Sequence, residues 1–203
     1  MWGAPGANDN GGGSAAVLAL ARAASESPLP FAIDFIWFTG EESNMLGSRA
    51  YVDGLSDAEL KEIRLLLNLD GIAEAGDQLH IWPGNENVEY QILQCLREYP
   101  PRRDRKTRHI YTFPPRPGMD HVPFYERGVT DMVSFTGFEM VNYHTARDVF
   151  HPEQGPNLEY ATRLAWHLLQ NVSADPSGPI FRDRLQLQTF AAAEVGIGLP
   201  GRK

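Results

Sequence analysis

Two nearly continuous apolar runs constrain the fold of this chain most: "FAIDFIWFT" at residues 31–39 and "IRLLLNL" at residues 63–69. A strand that is apolar at almost every position has no solvent face, so it must be covered on both sides. The stretches around them read as helices, at 14–24 behind a glycine cluster, at 45–52 and at 57–62. Further on, the pattern predicts strands at 78–82 and 131–136 and helices at 88–98, 122–127 and 158–170. Strands alternating with helices predict an α/β fold, a sheet with helices on both faces. Past Val172 the chain becomes a Pro- and Gly-punctuated tail, residues 173–203, with no element of its own.

The 203 residues suffice for one domain with a full core. A net charge of −8 argues against non-specific binding to nucleic acid or an anionic membrane. The one basic run, residues 102–108, reads as a solvated loop or helix end. The single cysteine, Cys95, excludes an internal disulfide and a Cys-based zinc site, and its place among Ile92, Leu93 and Leu96 predicts a core thiol. The longest apolar run is too short to span a membrane and carries Asp34.

In sheets covered on both faces, ligands collect outside the carboxyl ends of the strands. Glu41 and Glu42 follow the first apolar run, Asp70 closes the second, and Asp9 sits in a glycine-rich loop just ahead of the first helix. His144 follows the strand ending near Thr136. Each has a plain structural reading as a turn, cap or surface residue. Their coincidence at one sheet edge suggests more, because carboxylates with an imidazole form a donor set suited to zinc. Neighbouring side chains on an extended backbone diverge. One Glu of the pair can therefore hold a metal while the other acts as general base in metal-assisted hydrolysis.

The motifs "PGANDNGGG", "FTGEESNMLGSRAYV", "NLD", "MDHVPF" and "YHTARD", in this order, resemble the co-catalytic zinc aminopeptidases of the bacterial leucyl-aminopeptidase type. This is the twenty-eighth metallopeptidase family, which includes glutamate carboxypeptidase-like enzymes and glutaminyl cyclases. The resemblance implies a three-layer α/β/α sandwich with a mostly parallel mixed sheet, the zinc-peptidase phosphorylase/hydrolase-like fold. It implies a catalytic domain over residues 1–172 and a peptide or small amide as substrate. Carried over by motif, Asp9 is the carboxylate bridging two zinc ions, Glu42 and His144 complete one site, and Asp70 belongs to the other. Glu41 is the general base. A cis peptide at Asp9–Asn10 is implied as well. His121 stands where some members polarise the scissile carbonyl, and Asp120, Tyr143 and Arg116 are candidate substrate contacts.

The family has one further zinc ligand, the His of a His-x-Asp motif upstream of the Asp9 loop, and here no His precedes His80. The resemblance therefore implies a member lacking its first strands. One strong zinc site is expected, from Asp9, Glu42 and His144, with self-association through the exposed sheet edge. Two other readings stand beside it: a single-zinc acyltransferase like glutaminyl cyclase, and a non-catalytic peptidase-like domain.

Overall fold

The computed structural model describes residues 3–73, 78–100, 106–109, 118–137, 142–173 and 179–181. Its centre is a four-stranded sheet in the order β1-β4-β2-β3, formed by β1 (Leu66–Leu69), β2 (Gln78–Pro83), β3 (Lys106–His109) and β4 (Met132–Gly137). β1 pairs β4 in parallel, from Leu66 opposite Met132 to Leu69 opposite Phe135. β2 pairs β3 in parallel and β4 antiparallel, with His80 opposite Thr136, so the sheet is mixed and mostly parallel.

The period of two along β1 and β4 distributes side chains to two helical layers. Leu67, Leu69, Val133 and Phe135 join the cluster built with α1 (Gly13–Glu26), α4 (Glu86–Glu98) and α6 (Gly155–Gln170). Leu66 instead packs with Val52, Leu60 and Phe124, which belong to α2 (Leu46–Gly54), α3 (Asp57–Glu62) and α5 (Val122–Glu126). Asn68 also leaves the first cluster and donates to Ser134 Oγ at 3.0 Å. Both faces are thus covered, as the apolar runs require, and the three-layer arrangement stands. Phe135, Ile81, Ile92, Leu96 and Leu168 are fully buried, each contributing about 1.5–3 kcal/mol relative to exposure. Cys95 is a core thiol on α4, and burial pushes its pKa up to about 12. Beyond Val172, residue Phe181 bridges back to it, and Ile180 and Phe181 enter the core. Residues 182–203 lie outside the described residues.

Two expectations are corrected. Residues 31–39 are not a strand, and they alternate between half-buried and exposed. Phe31 and Phe35 lean on the main core and Phe38 on the second cluster, but no backbone ladder forms there. Apolar side chains suffice for such packing, whereas a strand also needs a neighbouring backbone at hydrogen-bond distance. Between 31–38 and β1 lies a cleft of about 820 Å³. The second correction concerns the basic run, whose end, Lys106–His109, is strand β3 rather than loop or helix. Among the described residues β3 is the last strand of the sheet on that side.

Candidate metal centre

Three loops deliver the site. The first, Ala7–Gly12, is an irregular turn ahead of α1 in which Asp9 (φ −111°, ψ 93°) and Asn10 (φ −128°, ψ 48°) leave the helical region. The Asp9–Asn10 peptide is cis, as the resemblance implied. Glycine is required on both flanks of this turn. Gly6 has φ +70°, and a Cβ on it would meet the Asp9 carbonyl oxygen at 2.7 Å. A Cβ on Gly13 would lie 2.1 Å from the Leu69 carbonyl oxygen, so only glycine lets α1 begin against the end of β1. Asn10 joins the two: its Nδ2 donates to the Leu69 carbonyl at 2.9 Å, and its Oδ1 accepts from the Gly13 and Gly71 amides. These contacts bracket Asp70. Local hydrogen bonding of this kind is what Asn supplies in turns.

The second loop follows Gly40 (φ +70°) and is a tight turn at Glu41–Ser43, not the extended backbone expected for the Glu pair. Asn44 and Met45 are both left-handed, at φ 64° and 57°. Methionine pays a steric penalty there, which its burial at 5 % exposure offsets. Buried Ser48 donates to Asp120 Oδ1 at 2.6 Å and lies 3.2 Å from the Met45 carbonyl, tying this turn to the start of α5. Glu42 meets His144, whereas the acids acting on Glu41 are Asp70, Glu42, Asp120 and Asp9, in that order.

The third loop carries His144, again left-handed at φ 60°. Its Nε2 contacts Glu42 Oε1 and lies 3.2 Å from Asp9 Oδ2. Tyr143 stacks on its ring with centroids 3.4 Å apart. The loop is wound by two successive turns, Thr145 N to Asn142 O and Asp148 N to Thr145 O, both 3.1 Å. Asp148, 3 % exposed, then reaches the first loop, where its carboxylate accepts the Asn8 and Asp9 amides at 2.8 and 3.0 Å.

Asp9, Glu42 and His144 each offer one ligand atom, all within 4.8 Å of one another. Two carboxylates and an imidazole are oxygen and nitrogen donors of the kind zinc takes, and three protein ligands leave a coordination position open. The electrostatics agree with that fit. Burial first, and the charge of Glu42 second, push the Asp9 carboxyl up to about 6. Burial and the surrounding acids push Glu41 up to about 7. Burial raises Asp120 as well, opposed by the Ser48 hydrogen bond. Such crowding of negative charge destabilises the ionised forms until a cation enters.

Of the residues singled out from sequence, Asp9, Glu42 and His144 are brought together. Asp70 lies with Glu41 and Asp120 along the cleft, outside the three-residue cluster. Tyr143 is 42 % exposed beside His144, and burial with the nearby acids pushes its hydroxyl up to about 12. His121 is 1 % exposed at the start of α5. Arg116 falls outside the described residues. Sequence reasoning assigned nothing to Asn10, Ser48 or Asp148. The signal for Asp148 was its place in "YHTARD", an acid four residues after a ligand candidate.

Comparison with known proteins agrees with this geometry. The chain is 41 % identical over 209 residues to leucine aminopeptidase 2 of Trichophyton rubrum, covering 97 % of this chain and 40 % of that protein. It is 34 % identical over 130 residues to aminopeptidase YwaD of Bacillus subtilis, covering 62 % and 27 %. The fold matches the structure of BSAP, a zinc aminopeptidase from Bacillus subtilis, with a TM-score of 0.72 at 28 % identity, covering 90 % of this chain and 47 % of that one. The chain thus spans less than half the length of each of these relatives. Peptidase family M28 matches residues 1–169, and the chain belongs to that family.

Proposed function

We propose that this chain carries the metal-binding and proton-transfer groups of a zinc aminopeptidase acting on peptides or small amides. The observation that carries this reading is the gathering of Asp9, Glu42 and His144 next to a third carboxyl, Glu41, which lines one cleft with Asp9 and Glu42. Zinc, when bound, supplies Lewis-acid polarisation of an amide carbonyl and lowers the pKa of water. Asp9, Glu42 and His144 would hold it. Glu41 accepts a proton from water and passes it to the leaving amine. Burial and the neighbouring acids raise its proton affinity, which favours the accepting half of that transfer. Asp120 and Glu41 would complement the α-ammonium of a free N-terminus, and exposed Tyr143 would flank the substrate. His121 is placed in no step. Asp70, close to the Asp9 loop through Asn10, would serve a second and weaker ion. The side of β1 away from β4 has no strand on it among the described residues, which supports self-association by backbone pairing.

The test is an assay of the zinc-loaded protein on a leucyl peptide and on a peptide with N-terminal glutamine. Release of free leucine is the expected result. A cyclised glutamine product, or no product from protein that retains its zinc, would overturn the reading.

A further inference from the structure

We infer that Asp148 is a positioning residue, a carboxylate clamp that fixes Asp9 against His144 and thereby sets the zinc affinity of the site. The inference rests on the proposed zinc site but concerns a residue with no assigned role. Asp148 is 3 % exposed and spends both carboxylate oxygens on one segment: Oδ1 accepts the Asn8 amide at 2.8 Å and Oδ2 the Asp9 amide at 3.0 Å. Its own carbonyl accepts a third amide from the same segment, that of Ala7, at 3.0 Å. Three successive amides, those of residues 7, 8 and 9, are thus held by one residue some 140 positions away.

The clamp also has a fixed far end. Asp148 N donates to Thr145 O, Thr145 N donates to Asn142 O, Thr145 Oγ1 donates to Asn142 O at 2.7 Å, and Arg147 N donates to Thr145 Oγ1 at 3.2 Å. His144 lies inside this wound segment. Asp9 and His144, remote in sequence, are therefore joined by a short path of hydrogen bonds through Asp148. The 3.2 Å separation of Asp9 Oδ2 from His144 Nε2 is the geometry that this path maintains.

The chemistry of Asp148 suits a positioning role better than a general structural one. A buried carboxylate is costly unless its oxygens are hydrogen-bonded, and backbone amides are donors that cannot be lost by rotamer change. An acid makes the stronger tether, because hydrogen bonds from amide N–H groups to a charged carboxylate are shorter and stronger than those to a neutral acceptor.

The test uses the full chain and zinc ion alone, with affinity read by competition against a fluorescent chelator. Asp148→Asn keeps the shape but replaces one acceptor oxygen with an amino group facing an amide N–H. Zinc affinity is expected to fall by roughly 10–100-fold, the usual range for a residue that orients a metal ligand. The same substitution in an Asp9→Ala background is expected to change affinity by less than about twofold, since a residue acting through Asp9 has nothing left to position. Unchanged affinity in the single variant would overturn the inference. So would an equal loss in both backgrounds, which would mark a field or folding effect. A second measurement needs no variant: the Asn8 and Asp9 amides of the native protein should exchange with solvent slowly, like those of β4. Exchange at the rate of an open loop would also overturn the clamp, even if Asp148→Asn failed to fold.

Discussion

Glu41 and Glu42 are adjacent in sequence, yet they belong to two differently built regions of one cleft. Glu42 lies with Asp9 and His144, where an imidazole sits between two carboxylates. Glu41 has only acids acting on it, Asp70, Glu42, Asp120 and Asp9 in that order, and burial first and those neighbours second push its carboxyl up to about 7. The first region has ligand atoms close enough to share an ion. The second has a carboxyl whose proton affinity is raised by burial and crowding. The two regions are joined by one peptide unit, in the tight turn Glu41–Ser43 that follows Gly40.

Substitutions that affect only one region break this comparison most sharply. Glu41→Gln removes the proton carrier and no ligand, so turnover in a leucyl-peptide assay should fall by roughly 10²–10⁴-fold. His144→Ala removes a ligand, and zinc affinity measured by chelator competition should fall by about 100-fold or more, at least matching the effect of an orienting residue. Retention of tight zinc by His144→Ala would dissolve the distinction between the regions. Asn10→Ala acts on the seam between them, since its side chain joins the Asp9 loop to the residues on either side of Asp70. The loss of three hydrogen bonds to backbone groups should cost about 1–3 kcal/mol in chemical denaturation.

The smallest expected effect is a pH dependence with opposite signs in the two metal states. Asp9 and Glu41 have carboxyls raised above their ordinary values, to about 6 and about 7. A group raised in the folded state stabilises the fold below its unfolded pKa and loses that contribution as pH climbs through the folded one. Without metal, these two groups should therefore lower the melting temperature between about pH 4 and 7. Zinc requires the deprotonated carboxylate and binds more tightly as pH rises, so saturating zinc should reverse the slope. Thermal melts of the native protein and of Glu41→Gln, with and without zinc, check both signs. The variant should show a shallower metal-free slope.

The three residues that the fold gathers were legible in the sequence for a physical reason. Asp9, Glu42 and His144 lie in loops whose surroundings do not otherwise demand an acid or an imidazole, and their motifs fall where strands or helices begin and end. The alternation of apolar runs likewise sufficed for a sheet covered on both faces. The pattern overreached at 31–39, where apolar side chains pack against both clusters without a backbone partner for a ladder. It fell short at Lys106–His109, a charged edge strand defined by its neighbour β2 rather than by its own residues. The contacts of Asp148 and Asn10 were not legible, although both residues fall inside quoted motifs. Their partners are backbone groups, which every sequence possesses, so no residue elsewhere marks the contact.

The most direct test of the division between Glu41 and Glu42 is the zinc content of two neighbouring variants, measured after equilibrium dialysis against zinc and elemental analysis. Glu41→Gln is expected to retain the zinc stoichiometry of the native protein, and Glu42→Gln to lose it. Loss of zinc from Glu41→Gln with retention in Glu42→Gln would contradict the account.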